Sequence, residues 1–219
     1  MVAPLRTTDD VVDYLGDVAA RADRGSLPEA SGIFARAYQR VTLEMIQRIA
    51  AGVFEDPAWL AAFDVKFANS YRVALEDPQA AAGPWRLAFA KAKGSRGVVL
   101  KHLLLGINAH MSYDLCVVLV DGLVDDRARR KRDFDAVNRV MHLAISPIQS
   151  VVEDRYGEWL RRADTVGLGV DELLTYDRFV RWRTRAWDDA MAILDGRATV
   201  AEVDDRVTRR GRLIAWVPL

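Results

Sequence analysis

The pattern of hydrophobic and polar residues along this chain is that of a helical protein, and it is clearest between residues 98 and 120. Apolar residues occupy nearly every side of this stretch, as in a helix buried inside a bundle. We therefore predict a central helix from about residue 97 to residue 122. Because residues three and four apart share a helix face, one stripe of it should carry a glycine and three polar residues: His102, Gly106, His110 and Asp114.

Capping residues and the three- and four-residue spacing of apolar positions predict the other helices. Asp56 and Pro57 form a typical helix start, with Asp at the N-cap and Pro at the first helical position. Thr199 and Glu202 form a capping box for the last helix. No segment alternates convincingly as a strand would. The remaining helices are expected at about residues 8–24, 31–51, 84–94 and 176–194. Another helix should begin near residue 133 and break at Pro147, and a further segment should continue to residue 162, followed by a loop at 165–169.

These elements predict an all-α fold, a single multi-helix bundle around the buried central helix, with residues 1–219 in one domain.

The basic run at residues 127–132 has acidic neighbours, and we interpret it as a solvated junction between helices. The apolar tail at residues 213–219 is expected to dock on the body. A homodimer is compatible with three tryptophans expected at the surface: Trp59, Trp85 and Trp159.

Composition narrows the function classes. Basic and acidic residues balance at 31 each, whereas nucleic-acid binding needs a basic excess, so we expect no nucleic-acid partner. The central stretch is long enough to cross a membrane, but its polar and charged residues argue against that. The first residues lack the pattern of a signal peptide, and we expect a cytoplasmic protein. Cys116 is the only cysteine, and its apolar neighbours predict a buried, inert thiol.

The spacing of His110 and Asp114 makes them the first candidates for chemistry. An aspartate four residues after a histidine can hydrogen-bond one imidazole nitrogen and raise the basicity of the other, as a general base requires. The same spacing can present both side chains to one metal ion. A buried pair that satisfies only itself is the structural alternative.

Other polar residues fall on otherwise apolar faces. Asp64 lies on the inward stripe of the third helix, where a carboxylate can pair with an arginine, exchange a proton with a substrate or bind a metal. Arg183 lies between Phe179 and Trp187, and it either holds a buried carboxylate or anchors an anionic ligand. Gly106 leaves a gap that a ligand or another backbone could approach. Further candidates for substrate contact are His102, Asn108, Tyr113, Asn138 and Trp187, with Trp182 as another pocket wall.

The segment Leu105–Leu115 resembles the hallmark of domain-of-unknown-function family 5995, whose members occur in actinobacteria and fungi. They carry a similar Gly-x-Asn-Ala-His-x-x-Tyr-Asp-Leu sequence, and weaker similarity extends over about residues 30–195. The resemblance implies a helical fold and no settled function. It groups four residues into one unit without assigning any of them a role: Asn108, His110, Tyr113 and Asp114.

The leading hypothesis is a small-molecule enzyme that uses general acid/base chemistry without an organic cofactor, in bacterial specialised metabolism. His110 would move the proton, Asp114 would orient His110, and Asp64 would be the complementary acid or base. Asn108 and Tyr113 would hydrogen-bond the substrate. The reaction would be a cyclisation, elimination, isomerisation or hydrolysis. The sequence contains no phosphate-binding loop, nucleophile elbow or His-Glu-x-x-His zinc motif.

Two alternatives remain open. The first is a divalent-metal-dependent hydrolase with His110, Asp114 and Asp64 as metal ligands. The second is a non-catalytic binding protein for an apolar small molecule, which predicts a deep apolar pocket and a His110–Asp114 pair that faces itself and not the cavity. A scaffold protein with a self-satisfied polar core is the purely structural reading.

Overall fold

The computed structural model describes most of the chain, namely residues 3–90, 96–122, 126–141 and 176–216, with the backbone alone at 96–100. These ranges are almost entirely helical and contain no strand, which confirms the predicted all-α fold. Several predicted features lie outside the described residues: the break at Pro147, the segment on to 162, the loop at 165–169 and Trp159.

The helices follow the predicted order. Along the chain they are α1 (Thr8–Asp23), α2 (Glu29–Ala50), α3 (Pro57–Glu76), α4 (Gly83–Ala90), α5 (Arg96–Asn108), a π-helical turn (Ala109–Asp114), α6 (Leu115–Gly122), α7 (127–141), α8 (Tyr176–Leu194) and α9 (Val200–Trp216). Together, α5, the π-helical turn and α6 form the predicted central helix.

Local capping chemistry explains where several helices begin. The Asp56 side chain accepts a hydrogen bond from the backbone N–H of Trp59 at the start of α3. The backbone N–H of Thr199 donates to the Glu202 carboxylate, and the Thr199 hydroxyl accepts from the Glu202 N–H, so the predicted capping box is formed. Such caps involve residues only three positions apart, and sequence alone can therefore reveal them.

The basic run at residues 127–132 is not a junction, because it forms the first turns of α7. Asp126 caps this helix by accepting from the backbone N–H of Arg129. Arg132 forms a two-pronged ion pair with Glu55. The run is thus a solvated helix face whose charges are paired with neighbouring acidic residues. The balance of charges in the sequence could not distinguish such a helix face from a loop.

The central helix lies in the middle of the bundle. Its parts pack against α2, α3, α4, α8 and α9, and Leu105, Leu115 and Leu119 are fully buried. Within the described residues, one helical stretch, Lys101–Gly122, is long and apolar enough to cross a membrane, and 83% of its most apolar window is buried inside the protein. The polar residues of this helix are consequently surrounded by side chains from both ends of the chain.

The surface differs from two expectations. The apolar tail docks only in part: Ile214 and Ala215 pack on the core, whereas Leu213 and Trp216 at the end of α9 are 72% and 87% exposed, and residues 217–219 lie outside the described residues. Trp85 is not at the surface but only 2% exposed. Its indole has a polar partner in the interior, which its local sequence does not show.

Candidate functional site

His110 and Asp114 lie in the π-helical turn, where the central helix departs from α-helical hydrogen bonding. The backbone N–H of Leu115 donates to the carbonyl of His110, five residues earlier. His110 Nδ1 is 2.9 Å from Asp114 Oδ2, so the predicted hydrogen bond between these side chains is present. Single π-helical turns inside α-helices occur frequently at functional sites. The hydrophobic pattern contained no signal for this turn.

Trp85 of α4 donates from Nε1 to the same Oδ2 of Asp114, over 2.8 Å. An indole N–H can only donate, and a carboxylate can only accept. Asp114 as a carboxylate therefore receives two donors, and the imidazole of His110 carries its proton on Nδ1. This leaves His110 Nε2 as the unprotonated nitrogen, and it has no hydrogen-bond partner among the described residues.

Aromatic rings surround the imidazole of His110. The Phe67 ring is stacked on it, and the rings of Phe34, Tyr38, Tyr71 and Trp85 lie 5.0–6.2 Å away between centroids. Burial lowers the pKa of His110, although the bond to Asp114 opposes this shift. Burial likewise raises the pKa of Asp114, against the hydrogen bonds from His110 and Trp85. The imidazole is accordingly a neutral group at physiological pH.

His110 forms part of the wall of a cavity of about 90 Å³ between the helices. A cavity needs roughly 10–15 Å³ to hold one water molecule, so this one has room for several water-sized groups. Side chains from α2, α3, α5, the π-helical turn, α7 and α8 line it, and nearly all of them are apolar. The polar exceptions are Tyr38, Asp64, His110 and Arg183.

Three of these polar residues carry buried atoms without a hydrogen-bond partner among the described residues: Tyr38 Oη, Asp64 Oδ2 and His110 Nε2. Burial alone raises the pKa of Asp64 to about 7. Burial also raises the pKa of Tyr38, and the nearby charges of Asp64 and Asp114 add to this. Buried polar atoms are normally satisfied, so three unsatisfied ones on a single cavity suggest a ligand. Tyr38 was missed from sequence because it continues an apolar stripe.

Arg183 lies at another part of the same wall. Its Nε donates to Asn138 Oδ1 and its Nη2 to the carbonyl of Phe134, each over 2.7 Å, and its guanidinium lies 4.1 Å from the centre of the Phe134 ring. Burial lowers the pKa of Arg183 to about 10, which still leaves it charged at neutral pH. Asn138 holds Arg183 in place and does not itself line the cavity.

Asn108 is directed away from the cavity. Its amide nitrogen donates to the carbonyl of Val207 over 3.2 Å, and its Oδ1 accepts from Arg210 Nε over 2.6 Å. It therefore fastens the central helix to α9. Tyr113 is half-buried and, like Asn108, does not line the cavity.

His102 and Trp187 are also buried away from the cavity wall. The ring of His102 lies against that of Phe89, and burial lowers the pKa of His102 to about 4. Trp187 packs on Phe134 with 5.0 Å between centroids and so supports the wall from behind. Trp182 is another buried side chain that the cavity does not reach.

The gap expected at Gly106 is filled from within the protein. A Cβ atom added there would lie 3.6 Å from the Trp85 ring and 3.7 Å from the Phe34 ring. Neither a ligand nor another backbone occupies this face, because the two rings that enclose His110 cover it.

The three proposed metal ligands do not come together as one set. In the part of the chain that the structure describes, no group of three or more His, Cys, Asp or Glu side chains could hold a metal ion. His110 Nδ1 is engaged with Asp114, and Asp64 Oδ2 forms no hydrogen bond with the described residues. Cys116 is buried, as expected, and burial raises the pKa of its thiol to about 12.

Comparison with known proteins identifies the family to which this chain belongs. The chain is a member of the family described as Family of unknown function (DUF5995), whose model matches residues 8–216. The match extends well beyond the 30–195 expected from the sequence motifs. No curated protein and no solved structure shows significant similarity to the chain.

Proposed function

We propose that this protein is a small-molecule enzyme in which His110 acts as a general base toward a substrate held in the cavity between the helices. The observation that supports this most directly is the unpartnered Nε2 of His110, in a ring whose other nitrogen is bonded to Asp114. A nearly apolar pocket with a few polar groups of perturbed pKa is the usual form of an active site.

The pair of His110 and Asp114 suits reversible proton transfer. When Nε2 accepts a proton, the imidazolium that forms is stabilised by the adjacent carboxylate, which Trp85 holds in place. Asp64 would supply the complementary acid, because its pKa of about 7 keeps a large fraction protonated at neutral pH. Acid/base enzymes typically contain two titratable groups whose environments shift their pKa values, so that one group acts as the base and the other as the acid.

The cavity wall favours some of the expected reaction classes over others. A bound water needs two to four polar partners, and the wall offers few polar groups to orient an attacking water. Cyclisation, elimination and isomerisation need no attacking water, because a base such as His110 can take a proton from the substrate while an acid such as Asp64 gives one to another substrate atom or to the leaving group. They therefore fit better than hydrolysis. This chemistry requires no organic cofactor, and the substrate would be a small, mostly apolar molecule.

The proposal can be tested by incubating the purified protein with a bacterial metabolite extract and following the compounds by mass spectrometry. Wild-type protein should convert at least one compound, and His110→Gln should abolish that conversion. His102→Gln is the matched control, because His102 is equally buried but lies off the cavity. Conversion by His110→Gln at the wild-type rate would contradict the proposal.

A second candidate is a non-catalytic binding protein for an apolar small molecule. It is favoured by the apolar wall and by the bond that His110 and Asp114 make to each other. In that case a compound from the extract would raise the melting temperature of wild-type protein and be recovered unchanged. His110→Gln would still bind it.

A further inference from the structure

We infer that the ligand of the cavity is a small organic acid whose carboxylate pairs with Arg183. This inference rests on the proposed function, since it assumes that the cavity is the substrate site. Arg183 is only 4% exposed and is one of the residues that line the cavity. Among the described residues of this wall it is the one lysine or arginine.

The charge of Arg183 has no acidic partner among the described residues. Its two hydrogen bonds go to uncharged acceptors, the amide oxygen of Asn138 and the carbonyl of Phe134. A guanidinium has five N–H donors, so these bonds leave most of them free for another acceptor. The acidic residue with the largest effect on Arg183 is Asp135, which forms an ion pair with Lys131 at the surface.

A buried charge is costly unless it is paired. Within the described part of the bundle, the charge of Arg183 is therefore incompletely compensated, and a bound anion would complete the compensation. The guanidinium is also preorganised for such a partner, because Asn138 accepts a hydrogen bond from its Nε and the Phe134 ring packs against its face. Its planar fork matches the two oxygens of a carboxylate.

The other properties of the cavity narrow the ligand to a small monoacid. One guanidinium balances one negative charge, whereas a phosphate ester would bring a second charge without a partner. The volume of about 90 Å³ and the apolar walls formed by residues such as Val137 and Phe179 suit a short hydrocarbon body. Asp64 shares the cavity, but burial raises its pKa, so its protonated form does not repel an anion.

Matched acid and amide probes test this inference. We would measure the binding of isobutyrate and benzoate, and of isobutyramide and benzamide, to wild-type protein by calorimetry. Each acid should bind about tenfold more tightly than its amide, or better, as expected for hydrogen bonds to a charged group. Arg183→Met should remove this preference.

Arg210→Met is the matched control. Arg210 also has its pKa lowered to about 10 by burial, donates from Nε to an asparagine and lies over an aromatic ring, but it is not part of the cavity wall. This variant should keep the preference for acids. Circular dichroism would verify folding of both variants, and Arg183→Gln, which removes the charge but keeps a polar side chain, would replace Arg183→Met with the same expected loss of preference if that variant did not fold.

The outcomes separate this inference from the proposed function. Equal binding of acid and amide to wild-type protein, no binding of either acid, or a preference that persists in Arg183→Met would overturn the role of Arg183. Each of these leaves the test of His110 in the metabolite extract unaffected. A preference for acids that depends on Arg183, with unchanged conversion by His110→Gln, would support the ligand class and contradict only the catalytic role.

Discussion

The ring of Phe67 lies flat against the imidazole of His110, with 3.6 Å between the ring centroids and 9° between the planes. This contact covers one face of the imidazole and excludes water from it. A charged imidazolium loses its hydration in such a place, so the neutral form is favoured. The lowered pKa of His110 thus follows from its packing, even though Asp114 is bonded to it.

We expect His110 to be neutral at pH 7, with its proton on Nδ1 and none on Nε2. In protein labelled with ¹⁵N-histidine, the two ring nitrogens should give the separate signals of a neutral imidazole, and His110→Gln should identify them. Phe67→Ala, which uncovers one face of the ring, should raise the pKa of His110 toward 6.5. A proton found on Nε2 would contradict the proposed base.

Removal of the acceptor that Trp85 and His110 share should cost more stability than its replacement by an amide. Asp114→Ala leaves the Trp85 indole N–H and the His110 Nδ1–H buried without an acceptor. Each such group costs about 1–3 kcal/mol, so we expect a loss of roughly 2–6 kcal/mol in the free energy of unfolding. Asp114→Asn retains an acceptor and should lose less. Urea denaturation would measure these values, and equal losses for both variants would show that the carboxylate holds neither donor.

Asp64 should lower the stability of the protein at high pH. Its pKa is raised to about 7 in the folded protein from 3.8, so between these values the folded state holds a proton that the unfolded state has released. The contribution of Asp64 to stability therefore falls as the pH rises from about 4 to 7. Asp64→Asn should be more stable than wild type at pH 8, by about 4 kcal/mol at most.

The difference between these two proteins should nearly vanish at pH 4, where Asp64 is protonated in the folded state. Denaturation of both at several pH values would show this convergence. His102 provides an internal reference, because it is present in both proteins. Its pKa is lowered to about 4, so its contribution to the free energy of unfolding is lost in the opposite direction, as the pH falls below 6.5. A constant gap between wild type and Asp64→Asn would mean that the carboxyl has an ordinary pKa.

Two helical glycines should respond oppositely to alanine. At Gly32 a Cβ would lie 2.6 Å from the Cβ of Ala22, so Gly32→Ala forces α1 and α2 apart at a cost of about 1–3 kcal/mol. At Gly106 the nearest atoms are at ordinary contact distance, and Gly106→Ala should raise stability by up to about 1 kcal/mol. Thermal denaturation tests both, and a strongly destabilised Gly106→Ala would show that the Trp85 ring cannot accept a methyl group.

The parts of the fold that depend on near neighbours could be predicted from the sequence. The Asp56 cap and the Thr199–Glu202 box act over three residues, and His110 and Asp114 meet because they are four residues apart. Asp64 stood out as a charge on an apolar stripe. In each case the chemistry is encoded within one or two turns of a helix.

The rest of the site depends on contacts between distant segments. Trp85 meets Asp114 across 29 residues, and nothing near Trp85 in the sequence indicates a polar partner. Asn108 belongs to the same motif as His110, but its side chain bonds to α9. Because the central helix is apolar all round, its pattern could not show which polar residue would face the cavity and which would face another helix.

The π-helical turn at Ala109–Asp114 acts as a phase shift within the central helix. The turn contains one residue more than a turn of α-helix would contain. In an α-helix, each residue rotates the direction of the side chain by about 100° about the helix axis. The segments before and after the turn therefore present their side chains to different neighbours than an uninterrupted helix would. Loss of a single residue within this turn would restore the regular helix and rotate α6 by about 100° relative to α5, so the placement of both segments depends on the length of the turn as much as on its composition.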